Sequence, residues 1–183
     1  MKLLKIAAVV AALGAVGAQA ATVGMTVVGS AGVNNDIFAA DGETPAFETP
    51  WQEGTAWWYG LDEALTFTFD QAYQITGITI NVDNNDFYRV DLSTDGTSWV
   101  DYHTVLAFDG AADFGMDTFT PSKPATADFY RLARVTALAG DGSYSVGELQ
   151  FNGVAAPVPE PETLALMLGG IAALGLKLRR RAG

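Results

Sequence analysis

Four tryptophans are the side chains of this chain best suited to bind a flat, partly apolar molecule. Trp51 lies in a loop-like stretch, Trp57 and Trp58 are adjacent in a strand-like one, and Trp99 follows a turn. An exposed indole ring can stack on the apolar face of a pyranose, although most tryptophans in β-sandwiches belong to the core. Because adjacent strand residues point to opposite faces, one of Trp57 and Trp58 should be exposed. The sequence therefore makes Trp51 and Trp58 the candidate ligand-contact residues.

The acidic side chains could accept hydrogen bonds or bind a cation, but their spacing matches no established metal-binding loop. The segment Asp83-Asn84-Asn85-Asp86 lacks the D-x-[DN]-x-[DN]-G spacing of an EF-hand loop. The favoured interpretation of this segment is an ordinary turn between strands, and a cation site is the alternative. Asp95-Gly96 and Gly140-Asp141-Gly142 are likewise predicted to be turns.

Nucleophilic catalysis lacks its usual residues in this sequence. There is no cysteine, no G-x-S-x-G motif, and a single histidine, His103, in a strand-like stretch. A glycosidase needs two opposed carboxylates in a cleft, and the spacing of the acidic residues singles out no such pair. We therefore predict that the protein is not an enzyme.

The charge of the chain is strongly negative and unevenly distributed. The 183 residues include 21 acidic and 10 basic side chains. Most basic residues lie near the two ends, and those between the ends are Arg89, Lys123, Arg131 and Arg134. Such an acidic middle region repels nucleic acid and anionic lipid and attracts divalent cations. Nucleic-acid binding is excluded on this ground.

The first 20 residues have the layout of a secretory signal peptide. Lys2 and Lys5 precede an apolar run over 6–16, and Ala18-Gln19-Ala20 is a small-x-small cleavage site. We predict that residues 1–20 are a signal peptide cleaved after Ala20. An uncleaved anchor helix is the alternative, but the apolar run is short for a membrane span.

The C-terminus consists of a proline-rich linker over 156–163, an apolar run over 164–176 and a basic end. The linker contains Pro159-Glu160-Pro161, and the basic end contains Lys177 and three arginines. At about 1.5 Å per helical residue, the run spans roughly 20 Å of a hydrocarbon core of about 30 Å. We predict that residues 164–183 are a membrane helix with a cytoplasmic basic tail, marginal as a permanent anchor.

This order of proline motif, apolar run and arginine cluster resembles the PEP-CTERM sorting signal of Gram-negative bacteria. The resemblance implies recognition by an exosortase, a membrane enzyme that removes the tail near Pro159-Glu160-Pro161. It implies a protein that crosses the inner membrane, is held there transiently, and reaches the cell surface or extracellular matrix. Glu162 and Thr163 occupy the places where the family commonly has Ser or Thr, which leaves the scissile bond open. An ordinary C-terminal anchor is the alternative.

The region between the ends, residues 21–155, has the pattern of many short β-strands. Apolar and polar residues alternate, polar turns separate the segments, and no 3.6-residue period is sustained. The strand-like segments are 65–69, 78–82, 88–92, 99–108, 129–135 and 144–151. The pattern predicts an all-β domain, an antiparallel sandwich or barrel. Tyr144 and Val146 are out of phase with Leu149 and Phe151, which predicts a β-bulge at 147–148.

A series of motifs follows in a characteristic order along this region. They are Asp41-Gly42, Thr49-Pro50-Trp51, Trp57-Trp58, Ile75-Thr76-Gly77-Ile78, Ser93-Thr94-Asp95-Gly96-Thr97-Ser98-Trp99, Phe129-Tyr130-Arg131-Leu132 and Gly147-Glu148-Leu149-Gln150-Phe151-Asn152-Gly153. In this order they resemble the discoidin, or F5/8 type C, domains. The resemblance covers residues 32–153 and implies a galactose-binding-like jelly-roll β-sandwich.

The same resemblance implies a structural calcium site, because many members of that family hold Ca²⁺ near the N-terminal loop. Residue-by-residue matching gives Asp41, Thr49 and Glu148 as ligands, with Thr44 as the alternative to Thr49. Oxygen ligands from separate loops suit Ca²⁺. The alternative is that Asp41 simply makes a turn and Glu148 is a solvated strand residue.

These inferences together predict an exported, exosortase-processed surface or matrix protein whose non-catalytic domain binds carbohydrate or extracellular polysaccharide. Contact with the membrane is expected through the C-terminal helix before processing. The alternative is a structural component of an extracellular matrix or biofilm that has no specific ligand.

Overall fold

The computed structural model describes residues 19–112 and 114–157, which form an all-β domain of antiparallel strands with one 3-10 helix, Asp36–Ala40. The strands are β1 (Ala21–Thr22), β2 (Met25–Gly29), β3 (Ala56–Tyr59), β4 (Ala64–Asp83), β5 (Phe87–Ser93), β6 (Val100–Val105), β7 (Met116–Phe119), β8 (Tyr130–Ala139) and β9 (Ser143–Ala155). The predicted signal segment before residue 19 and the predicted tail, including Pro159-Glu160-Pro161, lie outside the described residues. Within the described ranges, no helix has the length and apolarity needed to cross a membrane.

One long strand, β4, belongs to both halves of the sheet. Its first half pairs with β2 and β8, and its second half pairs with β9 and β7. The sequence pattern predicts separate strands over 65–69 and 78–82, and this is wrong, because the structure joins them into β4. The register slips between Ile75 and Gly77, so that Ile75 and Ile78 both reach the core despite their different parity.

The apolar faces of the strands enclose one hydrophobic core. Phe67, Val90 and Leu149 come from three different strands, and each is fully buried. Trp58 is also fully buried, and its ring packs edge-to-face on Tyr88 with a centroid separation of 6.3 Å. Burial of one side chain of this size stabilises the fold by about 1.5–3 kcal/mol. This core fixes the strands from whose ends the loops extend.

The phase slip in β9 is a β-bulge, so the prediction at 147–148 is confirmed. Asn81 pairs with Glu148 and Val82 with the residue two positions earlier, which leaves Gly147 as the extra residue. A Cβ atom at position 147 would collide with Oδ1 of Asn81 and with the ring of Pro45. The bulge brings all four neighbouring apolar residues into the core: Tyr144, Val146, Leu149 and Phe151. It also turns Glu148 inward, where it is 4% exposed.

The two ends of the domain carry different features. At one end, β1 pairs with residues 152–153 of β9, and the amide of Ala156 donates a hydrogen bond to the carbonyl of Ala72. Both termini of the described chain therefore lie at this end. The β4–β5, β6–β7 and β8–β9 loops lie at the other end. The chain consequently leaves the domain toward its C-terminal tail at the end opposite these loops.

Candidate functional site

A cavity of about 470 Å³ opens among the loops at the end opposite the termini. Apolar side chains form most of its wall, and a few polar side chains reach into it. The lining residues are Pro50, Trp51, Asp83, Asn85, Phe108, Phe114, Gly115 and Asp141. An apolar concavity of this size with a small number of convergent polar groups is the usual form of a small-ligand site. We refer to it below as the loop-end cavity.

Three aromatic rings form the wall of the loop-end cavity. Phe108 is 69% exposed and Phe114 61% exposed, and Trp51 is partly exposed. Phe108 has a φ of 59°, a left-handed conformation that is uncommon for a bulky residue. Neighbouring aromatic rings hold Trp51 in place: its ring packs edge-to-face on Trp57 and on Tyr59, with centroid separations of 5.6 and 5.9 Å. Exposed rings of this kind around a concave surface are typical of a recognition site.

Asn84 fixes the loop that carries the two phenylalanines. The side chain of Asn84 donates a hydrogen bond to the carbonyl of Ala112 at 2.6 Å and accepts one from the amide of Gly110 at 3.1 Å. Its backbone accepts a hydrogen bond from the amide of Phe108 and donates one to the carbonyl of Gly115. Because Asn84 is 1% exposed, these contacts are shielded from water and hold the β6–β7 loop against the β4–β5 loop.

Carboxylates form the polar floor of the loop-end cavity. Burial, together with the nearby charge of Asp141, raises the pKa of Asp83 to about 6. Behind them Asp86 is fully buried, and burial raises its pKa to about 7. Asp86 accepts hydrogen bonds from the hydroxyl of Tyr88 and from the amide of Asp141, each at 3.2 Å. The floor of the cavity therefore groups carboxyl groups, of which Asp83 and Asp86 are shielded from water.

A second cleft, of about 530 Å³, lies beside β6 and β7 and contains His103, Asp109 and Asp117. The carboxylate of Asp117 already accepts hydrogen bonds from the amides of Ala111 and Ala112, at 2.6 and 3.0 Å. Burial lowers the pKa of His103, and the positive charge of Lys123 lowers it further. Because the buried acceptor of this cleft is already satisfied, the loop-end cavity is the better candidate for a ligand site.

The structure brings the three predicted calcium ligands to one region. Asp41 follows the 3-10 helix. Asp41 and Thr49 both line a cavity of about 280 Å³. Thr44, the alternative to Thr49, lines the same cavity. Glu148 accepts a hydrogen bond of 3.3 Å from the amide of Gly42, next to Asp41. Glu148 is thus a buried strand residue, and the expectation of a solvated one is wrong.

Glu148 is a buried carboxyl group close to Asp41. Burial raises its pKa to about 6, and the charge of Asp41 contributes in the same direction. Asn81, its partner across the β4–β9 pair, has a buried Oδ1 atom without a hydrogen-bond donor. Among the described residues, no group of three or more Asp, Glu, His or Cys side chains could hold a metal ion. A calcium ion here would therefore also need neutral oxygens such as the Thr hydroxyls.

Comparison with known proteins identifies the tail. Residues 157–181 match the family model of the PEP-CTERM protein-sorting motif. The chain carries a PEP-CTERM sorting signal. This signal indicates an exported protein that is sorted by an exosortase in a Gram-negative bacterium, as the sequence predicts. A sequence comparison with curated proteins finds no significant match.

The fold of this PEP-CTERM protein is similar to solved CBM32 structures. Truncated AlyQ with CBM32 and alginate lyase domains has a TM-score of 0.53 at 16% identity, over 77% of this chain and 35% of that one. CBM32-1 from a family 31 glycoside hydrolase of Clostridium perfringens has a TM-score of 0.51 at 12% identity, over 69% of this chain and 92% of that one. An F5/8 type C domain from Bacteroides fragilis has a TM-score of 0.47 at 19% identity, over 72% and 93%.

The predicted discoidin-like jelly-roll fold is thereby confirmed. The PEP-CTERM protein spans about a third of the AlyQ chain, which also contains a lyase domain, but nearly the whole of CBM32-1. The matched domains are binding modules, some of which belong to enzymes. The low identities establish the fold, and the choice of ligand depends on the residues of this chain.

The tryptophan predictions have different outcomes. Trp51 lines the loop-end cavity, where a ligand could reach it. Trp58 is fully buried against Tyr88 and Tyr144, so the prediction that Trp58 is the exposed member of its pair is wrong. Trp57 has the outward position instead and packs on Trp51. Residue alternation requires one outward ring, but the strand register decides which one.

Sequence reasoning missed most of the loop-end cavity. The segment over 83–86 and the turn at 140–142, both predicted to be ordinary turns, supply Asp83, Asn85 and Asp141 to the cavity. Nothing in the sequence marks Phe108 and Phe114 as site residues, because each is simply an apolar residue in a stretch that contains glycines. Two aspartates flanking two asparagines at a strand end are the only sequence signal for this part of the site. An ordinary turn has the same composition, and the segment is recognised as part of a cavity only because it lies beside residues 140–142 in the fold.

Proposed function

We propose that this protein is an exported, non-catalytic module that binds carbohydrate through the loop-end cavity. The single observation that supports this most strongly is the combination in one cavity of three accessible aromatic rings with Asp83, Asn85 and Asp141. Aromatic rings complement the apolar face of a sugar, and carboxylate or amide oxygens accept hydrogen bonds from its hydroxyl groups. The fold shared with CBM32 modules agrees with this assignment without specifying the sugar.

The position of the cavity suits a protein delivered by a sorting tail. We propose the division into a signal peptide (1–20), a binding domain (21–155), a linker (156–163) and a membrane tail (164–183). The tail anchors the chain transiently in the inner membrane until an exosortase removes it, which releases the domain to the cell surface or matrix. Since the chain leaves the domain at the end opposite the loops, the cavity points away from the point of attachment.

Binding can be tested on an array of neutral, acidic and amine-bearing polysaccharides with the full chain purified in a sugar-free detergent. Phe108→Ala and Trp51→Ala should each lower the retained signal at least tenfold. Phe108 is 69% exposed, so its removal costs little folding energy. The matched control is Phe129→Ala, because Phe129 is also exposed but precedes β8 at the opposite end. Retention of no polysaccharide at any calcium concentration would refute the proposal and favour a structural matrix protein.

We further propose that Ca²⁺ is a structural ion held by Asp41, Glu148 and the hydroxyl of Thr49 or Thr44. The buried carboxylate of Glu148 and the unsatisfied Oδ1 of Asn81 support a cation in this region. Because an ion that binds only the folded state stabilises it, adding CaCl₂ after EDTA should raise the melting temperature. The stabilisation is about 2.7 kcal/mol at a free concentration of 100 times Kd. An absent shift, or an equal shift in Glu148→Gln, would rule out this site.

A further inference from the structure

The loop-end cavity offers acceptors and almost no donors. Asp83 is 4% exposed, lines the cavity, and has neither an ion-pair partner nor a side-chain hydrogen-bond donor among the described residues. The Oδ1 atom of Asn85 is buried and accepts no hydrogen bond, while the amide nitrogen of the same side chain donates one to Asp141. The carboxylate of Asp83 accepts a hydrogen bond from the backbone of Asn84, and its remaining acceptor capacity and the Oδ1 atom of Asn85 are left for donors of a ligand.

The positive charges of the described domain lie elsewhere. Arg89 and Arg134 both pair with Asp91, at 3.0 and 2.8 Å. The Nζ atom of Lys123 lies 5.8 Å from the ring of Tyr102. None of these basic residues lines the loop-end cavity. Asp83 and Asp141 therefore form no ion pair with a basic side chain of the described chain, and an anionic ligand would be repelled.

The aromatic wall favours the same kind of ligand as the floor. The rings of Trp51, Phe108 and Phe114 surround a cavity whose carboxylates come from Asp83 and Asp141. A cation held against aromatic faces gains from their negative quadrupole, and this gain grows when the site is desolvated. An ammonium group supplies three donors and one positive charge, which matches both the remaining acceptors and the carboxylates that form no ion pair.

We propose that the ligand of the loop-end cavity is an amino sugar whose amine is free and protonated, as in a glucosamine-containing polysaccharide. This proposal rests on the proposed function, because it names the class of sugar that the same cavity binds. The carboxylate of Asp83 is the group that receives the ammonium. Trp51 and the two phenylalanines cover the sugar ring, and Asp141 and Asn85 accept its remaining donors.

The test compares two trimers that differ only at the amine. The full chain in sugar-free detergent is titrated calorimetrically at pH 7 with the trimer of β-1,4-linked glucosamine and with its fully N-acetylated counterpart. We expect at least tenfold tighter binding of the free-amine trimer, with an affinity that falls as salt rises, since ion pairing is screened. Asp83→Asn should reduce that preference at least tenfold, because it removes the charge that receives the ammonium.

Controls separate this proposal from the more general one. Asp128→Asn removes the same charge from an exposed position just before β8, at the opposite end, and should change neither affinity. Equal binding of the two trimers, independent of salt, would overturn the amino-sugar proposal and leave carbohydrate binding intact. Equally tight binding of trilysine would also overturn it, because charge alone would then suffice. Failure of every sugar on the array would instead overturn the proposed function itself. The salt dependence is measured on the native chain, so this part of the test does not depend on whether a variant folds.

Discussion

Replacement of Asp86 by asparagine should stabilise this protein at neutral pH and leave it unchanged in acid. Asp86 is fully buried behind the loop-end cavity, and burial raises its pKa from 3.8 to about 7. The neighbouring charges of Asp83 and Asp141 act in the same direction. The folded protein therefore keeps a proton that the unfolded chain releases above pH 4. Stability falls as pH rises from about 4 to about 7 and is constant beyond that.

The size of the effect follows from the difference between the two pKa values. Each unit corresponds to about 1.4 kcal/mol, so the full linkage at pH 8 is about 4 kcal/mol. Water in the adjoining cavity screens part of this charge, and an amide satisfies the hydroxyl of Tyr88 and the amide of Asp141 less well than a carboxylate does. We therefore expect Asp86→Asn to gain about 2 kcal/mol at pH 8, or roughly 7 °C in melting temperature for a domain of this size.

The assay is thermal unfolding of both proteins, followed by near-ultraviolet circular dichroism at pH 4, 6 and 8. The two melting temperatures should coincide within about 2 °C at pH 4, because both proteins then carry a neutral group at position 86. Asp70→Asn is the control, since Asp70 is an exposed acid remote from the cavity loops. A variant that melts below the native protein at pH 8, or a gain that is the same at pH 4 and pH 8, would refute the reasoning.

Three further predictions follow from the packing. Trp58→Ala should cost about 4 kcal/mol in chemical denaturation, because it empties a fully buried site, whereas a loss below 1 kcal/mol would contradict core burial. Gly147→Ala should destabilise the domain by at least 1 kcal/mol, because the added Cβ collides with Asn81, and an unchanged denaturation midpoint would argue against the bulge. Asn84→Ala should weaken sugar binding several-fold on the array, although Asn84 does not line the cavity, because the β6–β7 loop loses its hydrogen bonds to this side chain. Unaltered binding would show that the loop does not depend on Asn84.

Local patterns sufficed for the strands and for the bulge in β9. Alternating apolar residues identify strand faces because side chains of a strand alternate between two surfaces. The same logic predicts the bulge, since Val146 and Leu149 can both be buried only if one residue is added between them. It failed at β4, where polar residues between two alternating segments suggested a break. In the structure they continue as one strand, because pairing with β8 and β9 satisfies its backbone along most of its length.

The local sequence pattern could not identify which of the two tryptophans points outward. Adjacent indoles at 57 and 58 require one ring inside and one outside, but either assignment satisfies the alternation. The pairing of β3 with β9 places Trp58 opposite Tyr144, and there its ring packs against Tyr144 and Tyr88 in the core. Register between strands is a long-range property, so it cannot be read from either strand alone.

Export and the all-β architecture of this protein can be read from the amino-acid sequence. The sorting tail is a contiguous signal, and strand alternation and turn order are local, so both can be read along the chain. The loop-end cavity, in contrast, exists only in the folded domain. Asp83 and Asp141 lie far apart in sequence and meet with Phe108 because three loops converge at one end of the sandwich. The burial of Asp83, which raises its pKa, arises only from that convergence.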